Sequence, residues 1–307
     1  MAANYRGRFA PSPTGPLHFG SLVAALASYC DARAHGGEWL VRIEDVDLPR
    51  ARPGASDAIL ATLRRYGFAW DHAVTWQSKR NELYEQAFDR LNKERLVFPC
   101  VCTRKELEAA TFGPVGERVY PGTCRGAVTP ERRPQARDEG HCAWRVKVDD
   151  RPIAFVDRLQ GPQEQRLATD VGDYVVKRSD GLFAYQLAVV IDDAEQGITH
   201  VVRGADLLTS TPRQIWLQQL LGLTTPVYMH HPIALDTGGA KLSKESGAAK
   251  LPNDPCPALL LAWAFLDQPR PPTPPASVDE FWHWAFDQWN PQRLPPVTAL
   301  PVPVLLR

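Results

Sequence analysis

Short apolar runs alternate with amphipathic stretches over the first hundred residues. Arg8-Phe9-Ala10 precedes an Ala-rich stretch of helical period over residues 21–33, and Trp39-Leu40-Val41-Arg42-Ile43 follows it. Apolar positions spaced three and four apart predict two further helices, over residues 56–66 and 81–95. This order predicts a parallel α/β sheet, because parallel neighbours need a crossover and a helix supplies it. The pattern changes at Pro99. From there to about Gly140 cysteine, glycine and proline are dense, which reads as an insertion held by something other than an apolar core. Beyond it, residues 143–148 and 174–177 alternate as half-buried strands. The apolar run 182–191, ending in Asp192-Asp193, reads as the point where the sheet resumes. Residues 211–222 predict a helix with Thr211 as its cap, Pro212 at the first position and Gly222 at its end. After Pro252 proline is frequent, and 268–275 reads as an extended connector between short helices. The chain shows no internal repeat.

At 307 residues and 44% hydrophobic the chain can bury a sizeable core as one large or two modest domains. No stretch approaches eighteen uninterrupted apolar residues, and the first residues lack the apolar segment of a signal peptide, so a soluble, cytoplasmic protein with no membrane contact is expected. Lys plus Arg equals Asp plus Glu at 35 each, which excludes a long-range pull on nucleic acid and leaves only local basic patches for RNA. Six cysteines in a reducing compartment are better used for metal than for disulfides.

Two distant segments carry the chemistry. The first, Pro11-Ser12-Pro13-Thr14-Gly15-Pro16-Leu17-His18-Phe19-Gly20-Ser21, places His18 and Gly20 at a strand-to-helix junction, where free helix amides attract phosphate. A histidine beside a glycine is by itself more often a structural residue. The second, Lys241-Leu242-Ser243-Lys244-Glu245, follows Gly238-Gly239 and can bring two ammonium groups onto a triphosphate. Fixed cations of this kind stabilise charge that develops in a phosphoryl or adenylyl transition state, at about 3–4 kcal/mol for one such donor. Alone, it would read as a solvated basic loop. Together they predict an ATP site, with His18, Lys241 and Lys244 as catalytic groups and His18, Gly20, Ser21 and Lys244 against the nucleotide.

These segments resemble the two signature motifs of the class I aminoacyl-tRNA synthetases, of the glutamyl branch. Arg8-Phe9-Ala10-Pro11-Ser12-Pro13-Thr14-Gly15, Val41-Arg42-Ile43-Glu44-Asp45-Val46-Asp47, Ala188-Val189-Val190-Ile191-Asp192-Asp193 and Val202-Arg203-Gly204-Ala205-Asp206 resemble blocks of that branch in the same order, so the likeness covers about residues 5–250. It implies a Rossmann-type catalytic domain from residues 1–98 and 185–250, an inserted subdomain at 99–184 and a short helical, Pro-rich segment at 251–307. It also implies a glutamate pocket of Arg8, Phe9, Ala10, Pro11, Ser12, Glu44, Tyr185 and Arg203. The physics agrees, since a substrate with two carboxylates needs fixed cations, which arginine's planar fork supplies, and its ammonium needs an anion such as Glu44. Tyr185 reads almost as well as a core aromatic. The branch usually has asparagine where this chain has Val189, which predicts one hydrogen bond fewer to glutamate, worth about 1 kcal/mol.

Cys100-Val101-Cys102 and Cys124 lie in the Gly- and Pro-rich insertion. Three thiolates and one further donor satisfy tetrahedral zinc, and a site closed by four protein ligands is structural. The resemblance puts Tyr120 in the fourth place, while chemistry alone would favour Cys142 or His141. Buried, unligated thiols are the alternative for the whole set. Cys30 and Cys256 read as ordinary buried thiols.

Only 63 residues follow Lys244. That length resembles a short branch of the glutamyl family that lacks the anticodon-arm domains. The branch implies a ligase that forms glutamyl adenylate from ATP and Mg2+ without tRNA and passes glutamate to queuosine in the anticodon of tRNA(Asp); a monomer is expected. Three other readings stay open: a truncated enzyme charging tRNA(Glu), a non-catalytic paralogue that binds tRNA or ATP, and a zinc-dependent RNA-binding module.

Overall fold

The computed structural model describes residues 5–47, 50–114, 116–126, 142–236, 238–242 and 250–302. β1 (Arg6–Phe9) leads through the 10–18 segment into α1 (Phe19–Ala34). That helix returns the chain to β2 (Glu38–Ile43), parallel to β1 with Arg8 opposite Leu40. α2 (Ala55–Arg65) crosses to β3 (Thr75–Trp76), the parallel neighbour of β2, and α3 (Asn81–Lys93) follows. The predicted helices stand within two residues of these bounds, because Gly and polar residues punctuate each apolar stripe.

The insertion then builds a separate antiparallel layer. β4 (Val97–Cys100) leads to α4 (Arg104–Glu108), and β5 (Ala143–Val146) pairs antiparallel with β4. β6 (Pro152–Asp157) and β7 (Gly161–Arg166) form a hairpin, α5 (Leu167–Asp170) is one turn, and β8 (Tyr174–Lys177) completes the β4-β5-β8 sheet.

The run expected to resume the sheet is instead helical. α6 (Tyr185–Glu195) buries every position from Leu187 to Asp193 between α3, α7 and the insertion, so no face turns to water and its 3.6-residue period leaves no trace in the polarity pattern. The sheet resumes one element later with β9 (His200–Gly204). A 3-10 turn (Ala205–Ser210) and α7 (Thr211–Leu221) then carry the chain to β10 (Val227–His231), parallel to β9. Thr199 N donates to Arg6 O at 3.0 Å, joining β9 to the free side of β1. Gly222 ends α7 at φ 63°, as predicted, but Ser210 rather than Thr211 precedes its first turn. The Thr211 hydroxyl is used elsewhere.

β11 (Ile233–Leu235), α8 (Pro255–Phe265), α9 (Val278–Gln288) and β12 (Ala299–Pro301) complete the order. β12 lies parallel to β11. Leu259, Trp263, Phe281 and Trp282 of the two last helices are buried in one core with Leu22, Leu26 and Trp39 of α1 and β2. A second core unites α3, α6, α7 and the inserted sheet. Among the described residues no helix is long and apolar enough to cross a membrane.

Candidate active site and cysteine cluster

A cleft of about 550 Å³ opens at the carboxyl ends of β1, β2, β9 and β10. Loops leaving that edge of a parallel sheet are free to vary without breaking the ladder, and ligands of open α/β sheets gather there. The two distant segments meet in it. His18 precedes α1 in extended conformation, with Leu22 N on its carbonyl at 3.0 Å, and the first-turn residues Gly20 and Ser21 line the cleft. Facing them is the 241–242 segment, bridged to β11 at Leu235 and held by Leu242 N donating to Ala234 O at 2.8 Å. A Cβ at Gly20 would stand 3.2 Å from the His18 ring, a tight contact, and 3.5 Å from Leu242 O, an ordinary one, so glycine leaves room for the His18 ring. Lys241 Nζ pairs with Asp206 at 2.6 Å at the rim. Ser243 and Lys244 lie outside the described residues.

The opposite end of the cleft carries the expected glutamate residues: Arg8 to Ser12, Glu44, Tyr185 and Arg203 all form its wall. A buried charge network underlies them. Arg8 donates through Nε and Nη2 to Asp193 at 3.1 and 3.4 Å. Arg42, fully buried, donates to Asp193 at 2.7 Å and to Gln196 Oε1 at 2.6 Å. Asp192 takes Gln77, Arg80 and the Tyr84 hydroxyl. Glu44 lies 3.5 Å from Arg42 Nη2, and its Oε1 is buried without a hydrogen-bond partner among the described residues. Burial pushes its pKa up to about 7, against the pull of Arg42 and Arg8 and with a further push from Asp193 and Asp192. Burial likewise raises the Tyr185 phenol to about 12, which keeps it a neutral hydroxyl. Arg203 Nη1 is a buried donor with no partner among the described residues, in the wall of a cleft that can take an anion. Val189 is buried in the second core and is not part of the cleft wall.

The family comparison agrees with this geometry. A model of the catalytic domain of class I tRNA synthetases (E and Q) matches residues 4–253. A protein of Aromatoleum aromaticum named glutamyl-Q tRNA(Asp) synthetase is 56% identical over 94% of this chain and 90% of its own length. One of the same name from Dechloromonas aromatica is 53% identical over 99% of this chain and all of its own. The chain belongs to the glutamyl-Q tRNA(Asp) synthetase family. Among solved structures, a glutamate-tRNA synthetase from Elizabethkingia anophelis superposes with a TM-score of 0.82 at 25% identity, over 99% of this chain and 69% of that one.

This member of the glutamyl-Q tRNA(Asp) synthetase family also carries the cysteine cluster. The Cys100, Cys102 and Cys124 sulfurs lie within 4.8 Å of one another. The Tyr120 hydroxyl sits 3.5 Å from Cys100 Sγ and 3.8 Å from Cys102 Sγ, and accepts from Cys124 N at 2.8 Å. Cys142 is buried and is not in the cluster, while His141 lies outside the described residues. Burial works against a thiolate at Cys100, but Tyr120, the Cys102 amide and Arg145 together hold its pKa below the usual value. Three soft sulfurs and one oxygen converging on a point form a donor set suited to a tetrahedral metal. Cys30 is a fully buried thiol of α1, as expected, whereas Cys256 is only half-buried at the start of α8.

Several residues of the site were given no role by the sequence. Asp192 and Asp193 resembled a strand end yet lie on α6 and hold Arg8 and Arg42. His231 donates from Nδ1 to Pro232 O at 2.9 Å, so its buried Nε2 is left without a partner among the described residues in the cleft wall. Asp157 and His230, which form a buried row with Arg203, lie 46 and 27 residues from it in the chain.

Proposed function

We propose that the protein is a ligase that activates L-glutamate with ATP and transfers it to the queuosine base in the anticodon of tRNA(Asp). The observation that carries the first half is the meeting, in one cleft, of a helix N-terminus and a lysine-bearing segment with a pocket of two arginines, a buried carboxyl and a phenol. The relatives' name supports the acceptor. Arg8 and Arg203 hold the substrate carboxylates, Glu44 in its ionised form faces the ammonium, and Tyr185, Ser12 and the backbone of Phe9, Ala10 and Pro11 shape the pocket. His18, Gly20 and Ser21 hold the nucleotide, brought as its Mg2+ complex. A glutamate carboxylate oxygen attacks the α-phosphorus, the bond to the bridging oxygen breaks, and pyrophosphate leaves with its charge met by Lys241 and Lys244. A queuosine hydroxyl then attacks the acyl carbon, losing its proton as AMP departs.

Cys100, Cys102, Tyr120 and Cys124 hold one zinc ion, which ties the Gly- and Pro-rich insertion together and takes no part in the transfer. Residues 1–98 and 185–250 act as the catalytic domain, 99–184 as the inserted subdomain, and 251–307 as a buttress on α1. Activation proceeds on a monomer without tRNA. Radiolabelled glutamate offered with ATP should label tRNA(Asp) that contains queuosine, and neither tRNA(Asp) without it nor tRNA(Glu). Labelling of tRNA(Glu) alone would replace this reading with a conventional glutamyl-tRNA synthetase.

A further inference from the structure

The Arg203 fork is held by groups that the reaction above does not use. In the parallel register of β9 and β10 Arg203 stands opposite His230, and Arg203 Nε donates to His230 Nε2 at 2.9 Å. That bond requires a bare Nε2, so the ring proton sits on Nδ1, where it faces Asp157 Oδ2 at 2.6 Å. Asp157 ends β6 in the insertion, and its other oxygen, Oδ1, accepts from the amides of Leu159, Gln160 and His230 at 3.0, 2.9 and 3.2 Å. All three side chains of the row are buried. Arg203 Nη2 donates to the Thr211 hydroxyl at 2.9 Å, which leaves Nη1 as the buried nitrogen of the fork with no hydrogen-bond partner among the described residues.

We propose that Asp157 and His230 are positioning residues for the amino acid: the carboxylate fixes the His230 proton on Nδ1, and the bare Nε2 sets the Arg203 fork so that Nη1 meets a substrate carboxylate. This rests on the assignment of Arg203 to glutamate made above. Burial and the Arg203 charge hold the ring neutral, with a pKa near about 4 despite the Asp157 carboxylate, so the arrangement persists across neutral pH. The inserted block thereby helps to form the glutamate site through one buried carboxylate.

Asp157→Asn tests the idea with little change of shape. Its amide oxygen can keep the three backbone bonds, while its NH2 replaces the oxygen that faces the ring. The ring must then accept at Nδ1 and carry its proton on Nε2, donor against donor at Arg203. Glutamate KM in pyrophosphate exchange should rise tenfold or more, with kcat and ATP KM within twofold, and the His230 15N signals should move from the Nδ1–H to the Nε2–H pattern. His230→Gln, whose amide oxygen can still accept from Arg203, should raise glutamate KM less than His230→Leu, and adding Asp157→Asn to it should cost little more. A wild-type ring protonated on Nε2 would overturn the proposal. So would a tautomer switch in Asp157→Asn that leaves glutamate KM within twofold, or a loss shared equally by glutamate and ATP with a lowered melting temperature. Arg203→Lys separates this proposal from the reading beneath it. Unchanged glutamate KM there sinks the amino-acid assignment, whereas a raised KM there with an unaffected Asp157→Asn sinks the positioning role alone.

Discussion

Glu44→Gln tests the electrostatic design of the pocket through stability and binding at once. Arg8 and Arg42 are already opposed by Asp193 and Asp192, so Glu44 is a third buried carboxyl whose charge its surroundings do not favour. Its pKa stands at about 7 in the fold against an ordinary 4.5. Between those values the folded protein holds a proton that the unfolded chain has released, so native stability falls as pH rises through that window. The gap corresponds to about 3 kcal/mol, fully expressed above about pH 7. Glutamine keeps the shape and removes the charge, and Arg42 retains both aspartates. The variant should therefore melt like the wild type near pH 4.5 but about 6–12 °C higher at pH 8, at about 2–4 °C per kcal/mol. Its glutamate KM should rise about 10- to 150-fold, the loss of a charge-assisted bond of about 1.5–3 kcal/mol to the substrate ammonium. Calorimetry at the two pH values and pyrophosphate exchange at saturating ATP read both effects. In the wild type glutamate KM should fall as pH rises from 6 to 8, and that slope should vanish in the variant. A variant no more stable at pH 8, with glutamate KM unchanged, would refute both the buried-charge argument and the ammonium role.

Other outcomes follow from the same geometry. Gly20→Ala should leave the melting temperature level or slightly raised, since alanine in a helix is favoured over glycine by about 0.5–1 kcal/mol, while ATP KM rises as the new Cβ presses on the His18 ring; an unchanged ATP KM would show that the placement of that ring does not matter for the nucleotide. Lys244→Ala should lower pyrophosphate exchange by two orders of magnitude or more, about 3–4 kcal/mol for one transition-state donor, and exchange at the wild-type rate would remove Lys244 from the mechanism. Cys102→Ala should abolish stoichiometric zinc by metal analysis and expose the 99–126 segment to protease, and full zinc content in that variant would disprove the ligand set.

The parallel α/β order was readable because α2 and α3 each bury one stripe and leave a helical period, while the mostly buried β1, α1 and β2 are short runs set off by glycine and polar residues. α6 was misread for the opposite reason: with positions 187–193 all buried, an apolar run carries no period from which helix and strand can be told apart. Thr211 looked like a cap because it precedes Pro212, yet its hydroxyl lies one position inside the helix and serves Arg203 instead. Cys100 and Cys102 were legible as a pair, but which distant donors join them depends on how the insertion folds. The loop that turns through Gly122 brings Cys124 N and the Tyr120 hydroxyl together.

What the sequence determined by itself was residue type and spacing: a helix start with glycine and histidine, a pair of lysines, arginines and a carboxyl of the kind a dicarboxylic amino acid needs, and closely spaced thiols. These follow from local backbone preference and from which side chains carry charge. Tertiary structure decided the state in which those groups work. Burial among Arg42, Asp192 and Asp193 sets the proton affinity of Glu44, and the register of β9 against β10, closed by Asp157 from the insertion, decides which way Arg203 points. Both depend on desolvation and on neighbours far apart along the chain, quantities that no local pattern of residues encodes.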